Sequence, residues 1–286
     1  MAGIKDTMLV LSSYPDPTPE YIVDQAAAIA KHIGARLSAL IPVLERSRVA
    51  AGYPRHSLLM DVPALIEDAL GTSARHADKL FARFEKAADY RGVRGEEIRQ
   101  GSSLVASSQD VARHARVHDL TLLPIGELIG LDELYAEGVI FGSGRPCMAL
   151  PAAGETGPSD SKIDDVVVAW DGGAPAARAL ADAMPVLERA KRVRVVTFDD
   201  EKSIAEIPSQ AELDRHLNAH GIKATFDTLS TGGHSIGKAL NEYVRSHGAN
   251  LLVMGAFGHS RVREFILGGA TRSILHAPPV PVFLSH

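Results

Sequence analysis

The residues best placed to do chemistry lie near the end of the chain. Leu251-Leu252-Val253-Met254-Gly255-Ala256-Phe257-Gly258-His259-Ser260-Arg261 is an apolar run that breaks into glycines, and Gly268-Gly269-Ala270-Thr271 follows at the start of a helical pattern. Glycine lets a ligand approach the main chain closely. A helix N-terminus offers unpaired N–H groups and a partial positive charge. The pattern predicts a cradle for phosphate. A second group is Trp170-Asp171-Gly172-Gly173, a carboxylate directly after an apolar run. A carboxylate suits ribose hydroxyls or an adenine edge. Taken singly, each feature has an ordinary reading. Gly-x2-Gly is a turn, Asp171 is a turn or N-cap residue, Met254 fills a core, and Arg261 is a solvated charge.

These residues must be positioned by strands and helices, and the chain spells those elements out twice. Short apolar runs at Thr7–Ser12 and Asp165–Trp170 each lead into alanine-rich helical patterns, Pro19–Ile33 and Pro175–Ala190. Second strands follow at 36–42 and 192–198, third strands near 94–101 and 222–229, and fourth strands at 120–125 and 251–254. Terminal strands close each half at 147–150 and 280–284. Strands alternating with helices imply βαβ units and parallel sheets with helices on both faces. The expected fold is α/β: two tandem doubly wound domains, 1–151 and 162–286, each a five-stranded, mainly parallel sheet of order 3-2-1-4-5. The segment 151–160, rich in Pro, Gly, Ser and Thr, reads as the linker. With that strand order, the loops holding Asp171 and Gly255 converge at the point where the order reverses.

The second half resembles the universal stress protein family. The resemblance rests on Val166–Gly173, on Ala177–Leu180, on Leu252–Gly255 with the spacing Gly-x2-Gly-x9-Gly that follows, and on Pro279–Val282. It implies that Asp171 meets the adenosine, that the main chain near Thr197 lines the adenine pocket and that Met254 packs on the base. Gly255, Gly258, Gly268 and Gly269 then hold the phosphates. His259, Ser260, Arg261, Ala270 and Thr271 border them. The implied ligand is ATP, with Mg²⁺, and ADP and AMP stay open. Gly269 departs from the family pattern, which has Ser or Thr there. One hydrogen bond to a charged group is worth about 1.5–3 kcal/mol, so its loss weakens phosphate binding without abolishing it.

The first half reads as a degenerate copy. Its matching loops are Ser12–Asp16 and Pro124–Gly130, with Glu127 where phosphate would lie. Taking Gly126 as the counterpart of Gly255, the distance to the proline of the last strand is 20 residues (126 to 146) against 26 (255 to 281). Gly142-Ser143-Gly144 is a late echo of the glycine loop. An insertion at 44–61 precedes an unusually long helix, Val62–Tyr90, whose Ala69, Ala77, Leu80, Phe84, Ala87 and Ala88 form an apolar stripe. The expected role of this half is to pair with the second half within the chain.

Composition narrows the function. A net charge of −5 gives no basic footprint for nucleic acid, and no run of 18 apolar residues offers a membrane span. The opening MAGIKDTMLVLSS has no secretory pattern, and the single Cys147 forms no intramolecular disulfide, so a cytoplasmic location is expected. His114 and His118 have a metal-ligand spacing but no third partner, so no metal is expected. No catalytic constellation is visible, and any ATP hydrolysis is expected to be slow. Three alternatives remain. One is a stress protein acting by protein association alone. Another binds a small ligand in the first domain. The third is an adenylating enzyme, suggested by His32-Ile33-Gly34. Homodimer formation and the identity of protein partners stay open.

Overall fold

The computed structural model describes residues 3–50, 62–103, 108–126, 130–152, 162–198, 209–256 and 269–286. The first half runs β1 (Asp6–Val10), α1 (Glu20–Ile33), β2 (Arg36–Leu44), α2 (Arg46–Ala50), α3 (Val62–Arg91), β3 (Arg94–Ser102), α4 (Ser108–Ala115), β4 (Leu120–Ile125), α5 (Gly130–Gly142) and β5 (Cys147–Pro151). The second runs β6 (Asp165–Ala169), α6 (Ala174–Leu187), β7 (Arg192–Phe198), α7 (Gln210–Ala219), β8 (Ala224–Leu229), α8 (Ile236–Ser246), β9 (Leu251–Gly255), α9 (Gly269–His276) and β10 (Val282–Ser285). The insertion expected at 44–61 is in part regular structure: Leu44 ends β2 and Arg46–Ala50 is helical, while 51–61 lie outside the described residues.

The strand order is β3-β2-β1-β4-β5-β10-β9-β6-β7-β8. Each half has the expected order 3-2-1-4-5 with parallel neighbours, so both are doubly wound. The two sheets also join into one through β5 and β10, which pair antiparallel with Cys147 opposite Leu284 and Ala149 opposite Val282. Alternation along the strands divides the core between the two faces. Leu9, Val166 and Val168 face α1, α3, α6 and α7, whereas Met8, Val10 and Val167 face α4, α5, α8 and α9. Both cores draw residues from both halves, so the halves share buried surface rather than merely touching. The stripe on α3 is buried as its spacing requires, with Ala77, Phe84 and Ala88 at 0% exposure. Arg189 of the second half donates to Ile33 O and to His32 O of α1, and Ile163 N donates to His32 Nε2 at 3.3 Å.

The repeat extends to individual bonds. Leu11 N donates to Leu40 O at 3.0 Å as Trp170 N does to Val196 O at 2.8 Å. Asp119 N donates to Asp6 O as Asn250 N does to Asp165 O, at 2.8 and 2.9 Å. Asp119 Oδ2 accepts from Lys5 N and Asp6 N, and Asn250 Oδ1 accepts from Asp164 N and Asp165 N. Arg36 grips Asp6 with two nitrogens, and Arg192 grips Asp165 in the same way. Strands at equal positions thus begin on equal ion pairs and equal caps.

These registers correct one expectation. Thr121 N donates to Pro146 O as Leu252 N donates to Pro281 O. Leu120 lies opposite Thr7 as Leu251 lies opposite Val166. Counting on, the counterpart of Gly255 is Pro124, not Gly126. The first-half segment is therefore 22 residues (124 to 146) against 26 (255 to 281), a deficit of four rather than six, or about one helical turn. Gly142-Ser143-Gly144 is not a counterpart of the glycine loop either. It ends α5, with Ser143 Oγ donating to Val139 O at 2.5 Å and Gly144 turning the chain at φ +67°.

Candidate functional site

At the sheet's second reversal of order, β6 leads through α6 to β7 on one side, while β9 lies on its other side. Ligands of doubly wound sheets sit at the carboxyl ends of strands at such a point. Trp170 and Asp171 extend β6 there. Gly172 adopts φ +71°, a conformation that favours glycine, and turns the chain so that Gly173 N donates to Asp171 Oδ1 at 2.8 Å. Gly173 is the extended N-cap of α6, and Pro175 in the first turn has no N–H to leave unpaired.

Gly255 closes the other side. A Cβ at this position would stand 2.5 Å from Ala176 N, 2.5 Å from Pro175 C and 2.9 Å from Pro175 Cβ. The end of β9 therefore packs directly on the first turn of α6, and only glycine permits that approach. This contact sets the end of β9 against the helix whose N-cap, Gly173, is hydrogen-bonded to Asp171. The sequence reading gave Gly255 a phosphate role; its visible duty is to let α6 start where it does.

The remaining expected residues fall at stated places. Thr197 is half-buried near the end of β7, next to Val196, whose carbonyl is taken by Trp170 N. Met254 is buried among Leu240, Ile274 and Leu284 in the core on the α8 and α9 side. Gly269 and Ala270 open α9, and Thr271 is buried in its first turn. Gly258, His259, Ser260, Arg261 and Gly268 lie outside the described residues, as does Glu127 of the first half.

Sequence reasoning missed several neighbours. Trp170, read from the sequence only as the neighbour of Asp171, is buried, and its indole nitrogen has no hydrogen-bond partner among the described residues. Beyond β10, the His286 ring meets Ala256 O at 2.9 Å and stands edge-on to Phe141 of α5 at 5.1 Å. Ser285 Oγ donates to Asp182 Oδ2 at 2.6 Å, and Arg178 meets the same oxygen at 2.8 Å. Nothing in local spacing signals such contacts, because their partners are far apart in sequence.

The two histidines weighed as metal ligands are occupied within the protein. His114 Nε2 meets Gln100 Oε1 at 2.9 Å, and His118 Nδ1 donates to His114 O at 2.8 Å. Burial, then the neighbouring His118 and Arg113, pushes the His114 pKa below its usual value. Asp110 accepts from Arg48 and Arg113, which ties α2 to α4. Among the described residues, no group of three or more His, Cys, Asp or Glu side chains is arranged to hold a metal. No helix among them is long and apolar enough to cross a membrane. Cys147 is fully buried in β5, and that burial pushes its thiol up to about 12.

Comparison with known proteins agrees with this fold. Residues 162–286 match the model of the universal stress protein family. Universal stress protein Slr1230 of Synechocystis sp. is 28% identical over 151 residues, 51% of this chain and 48% of that protein. The chain thus spans about half the length of the curated relative it matches. A universal stress protein from Archaeoglobus fulgidus superposes with a TM-score of 0.68 over 97% of both chains at 17% identity. A functionally unknown protein, PA1789 from Pseudomonas aeruginosa, gives 0.57 over 99% of this chain and 92% of that one at 12% identity. The two superpositions show the fold. The chain is thus similar to the universal stress protein family through residues 162–286, and its first half repeats the same topology in tandem.

Proposed function

We propose that the crevice between the ends of β6 and β9 binds an adenine nucleotide, ATP with Mg²⁺ in the first instance. The observation that carries this reading is the meeting of the Asp171 loop with Gly255 on the first turn of α6 at the order reversal. A carboxylate beside the start of α6 suits a nucleoside and its phosphates, and in this reading α9, which opens at Gly269, adds a second helix N-terminus. The match of residues 162–286 to the universal stress protein family supports a role in the stress response. In this reading the nucleotide state alters the contacts of a cytoplasmic signalling protein, and no catalytic step is required.

The test is calorimetric titration of nucleotide-stripped protein with ATP and Mg²⁺, run beside the fluorescence of Trp170, which directly precedes Asp171. One site per chain is expected. Asp171→Ala should weaken ATP and adenosine alike, by about 10- to 100-fold for a hydrogen bond to a charged group, and leave tripolyphosphate unchanged. Gly258→Val should weaken ATP and tripolyphosphate. No binding at millimolar ATP overturns the reading. It then favours association with protein partners alone, the alternative that fits the missing hydroxyl at Gly269.

A further inference from the structure

The internal repeat lets the two crevices be compared position by position, and they differ. The strand registers place Ser12 at the position of Asp171, Ser13 at that of Gly172 and Pro42 at that of Phe198. Residues 172–173 alone separate Asp171 from α6, whereas residues 13–19 separate Ser12 from α1. The longer loop folds on itself: Ser12 N donates to Thr18 Oγ1 at 2.8 Å and Thr18 N to Ser12 O at 3.0 Å.

Helix α3 then closes over this loop through bonds whose directions follow from chemistry. Pro42 O can only accept, so the Ser13 hydroxyl donates to it at 2.6 Å. The Ser13 proton is then used, so Ser73 donates to Ser13 Oγ at 2.8 Å. Ser73 Oγ in turn accepts from Leu44 N at 3.0 Å. Ser13 O can only accept as well, so His76 carries its proton on Nδ1 and donates at 3.0 Å. Ser13 and Ser73 are 2% and 0% exposed. Helix α3 reaches this place because it is 30 residues long, against 10 for its counterpart α7. Val93 N donates to Ala88 O as Ile222 N does to Leu217 O, so Phe81 corresponds to Gln210, the first residue of α7. Both Ser73 and His76 lie on the part of α3 that precedes this point.

We propose that α3 is a built-in occupant of the first-half crevice: through Ser73 and His76 it takes main-chain groups at the ends of β1 and β2 that a ligand there would need. The assignment rests on the first half alone and does not require the second half to bind a nucleotide.

Hydrogen exchange on the full chain tests it, with peptides spanning 9–16, 38–46 and 70–78 and overlaps that isolate the Leu44 amide. In the unmodified protein that amide should be protected. Ser73→Ala should raise its exchange rate by about tenfold, the effect of removing one neutral hydrogen bond of ordinary strength. Second-half peptides should not change. Adding ATP and Mg²⁺ should leave the three first-half regions unaltered. Protection of these regions by ATP, an unprotected Leu44 amide in the unmodified protein, or an unchanged rate in Ser73→Ala overturns the proposal. If second-half peptides also ignore ATP, the nucleotide reading fails, while the occupant is still judged by the Leu44 amide.

Discussion

Gly255→Ala puts the largest visible steric demand on the site. The added Cβ would lie 2.5 Å from two main-chain atoms and 2.9 Å from Pro175 Cβ, where ordinary contact begins at 3.4 Å. The shortfall is 0.9 Å (3.4 − 2.5). Main-chain atoms and a proline ring have no rotamer to yield. Either the first turn of α6 moves away or β9 gives up its pairing of Gly255 with Ser285. Overpacking of this kind costs about 1–3 kcal/mol. With a urea slope of about 3 kcal/mol/M, the unfolding midpoint should fall by about 0.3–1 M. The same shift moves the Asp171 loop, whose hydrogen bond to Gly173 N sits at the head of α6. ATP affinity should therefore fall by about tenfold or more, the equivalent of one hydrogen bond. Gly232→Ala is the control. It has φ +60° and nothing within 4 Å of an added Cβ, so it strains its own turn by about 1–3 kcal/mol and leaves affinity alone. Urea titration followed by Trp170 fluorescence reads both quantities. An unchanged midpoint in Gly255→Ala refutes the packing argument, and lost affinity with full stability would assign Gly255 to direct ligand contact instead.

Gly173→Ala should act on the ligand rather than the fold. Its Cβ would meet the Asp171 carboxylate at 3.0 and 3.3 Å, and that side chain can turn aside. Adenosine and ATP should both weaken while the urea midpoint changes by less than about 1 kcal/mol equivalent; a large stability loss with unchanged affinity counts against this placement. The Cys147 thiol, raised to about 12 by complete burial, should resist a thiol reagent at pH 8 until urea unfolds the chain. Prompt stoichiometric labelling of native protein would contradict its place in β5. Asp165 is held below the usual carboxylate range, first by its hydrogen bond to Arg192 and then by nearby Arg194 and Lys191. Its contribution is therefore present above the unfolded value of about 3.9 and lost as pH falls through the depressed folded value. Asp165→Asn should lower the urea midpoint at pH 7, and the gap to the unmodified protein should close below about pH 4. A gap independent of pH refutes the ion pair.

Local patterns in the chain already set which segments become strands and helices, and in what order. Runs such as Asp165–Ala169 and Leu251–Gly255, the alanine-rich α1 and α6, and the stripe on α3 are local patterns, and local periodicity is what burial on one face writes into a chain. The tandem plan and the order within each half follow from those patterns and the handedness of βαβ units. What periodicity could not supply was partner choice. Pro124 and not Gly126 answers Gly255, because strand register decides correspondence and like residues do not. The seam of β5 with β10 was also invisible: CMALP and VFLS are apolar runs, and such a run calls for cover on both faces without naming the neighbouring strand. The occupation of the first-half crevice needs Ser13, Ser73 and Pro42, drawn from three segments whose nearness exists only after folding. Local conformation is set by neighbours along the chain. Pairing, seam and occupancy are set by which whole packed state leaves the fewest buried groups unsatisfied, a property of the folded chain and of no single segment.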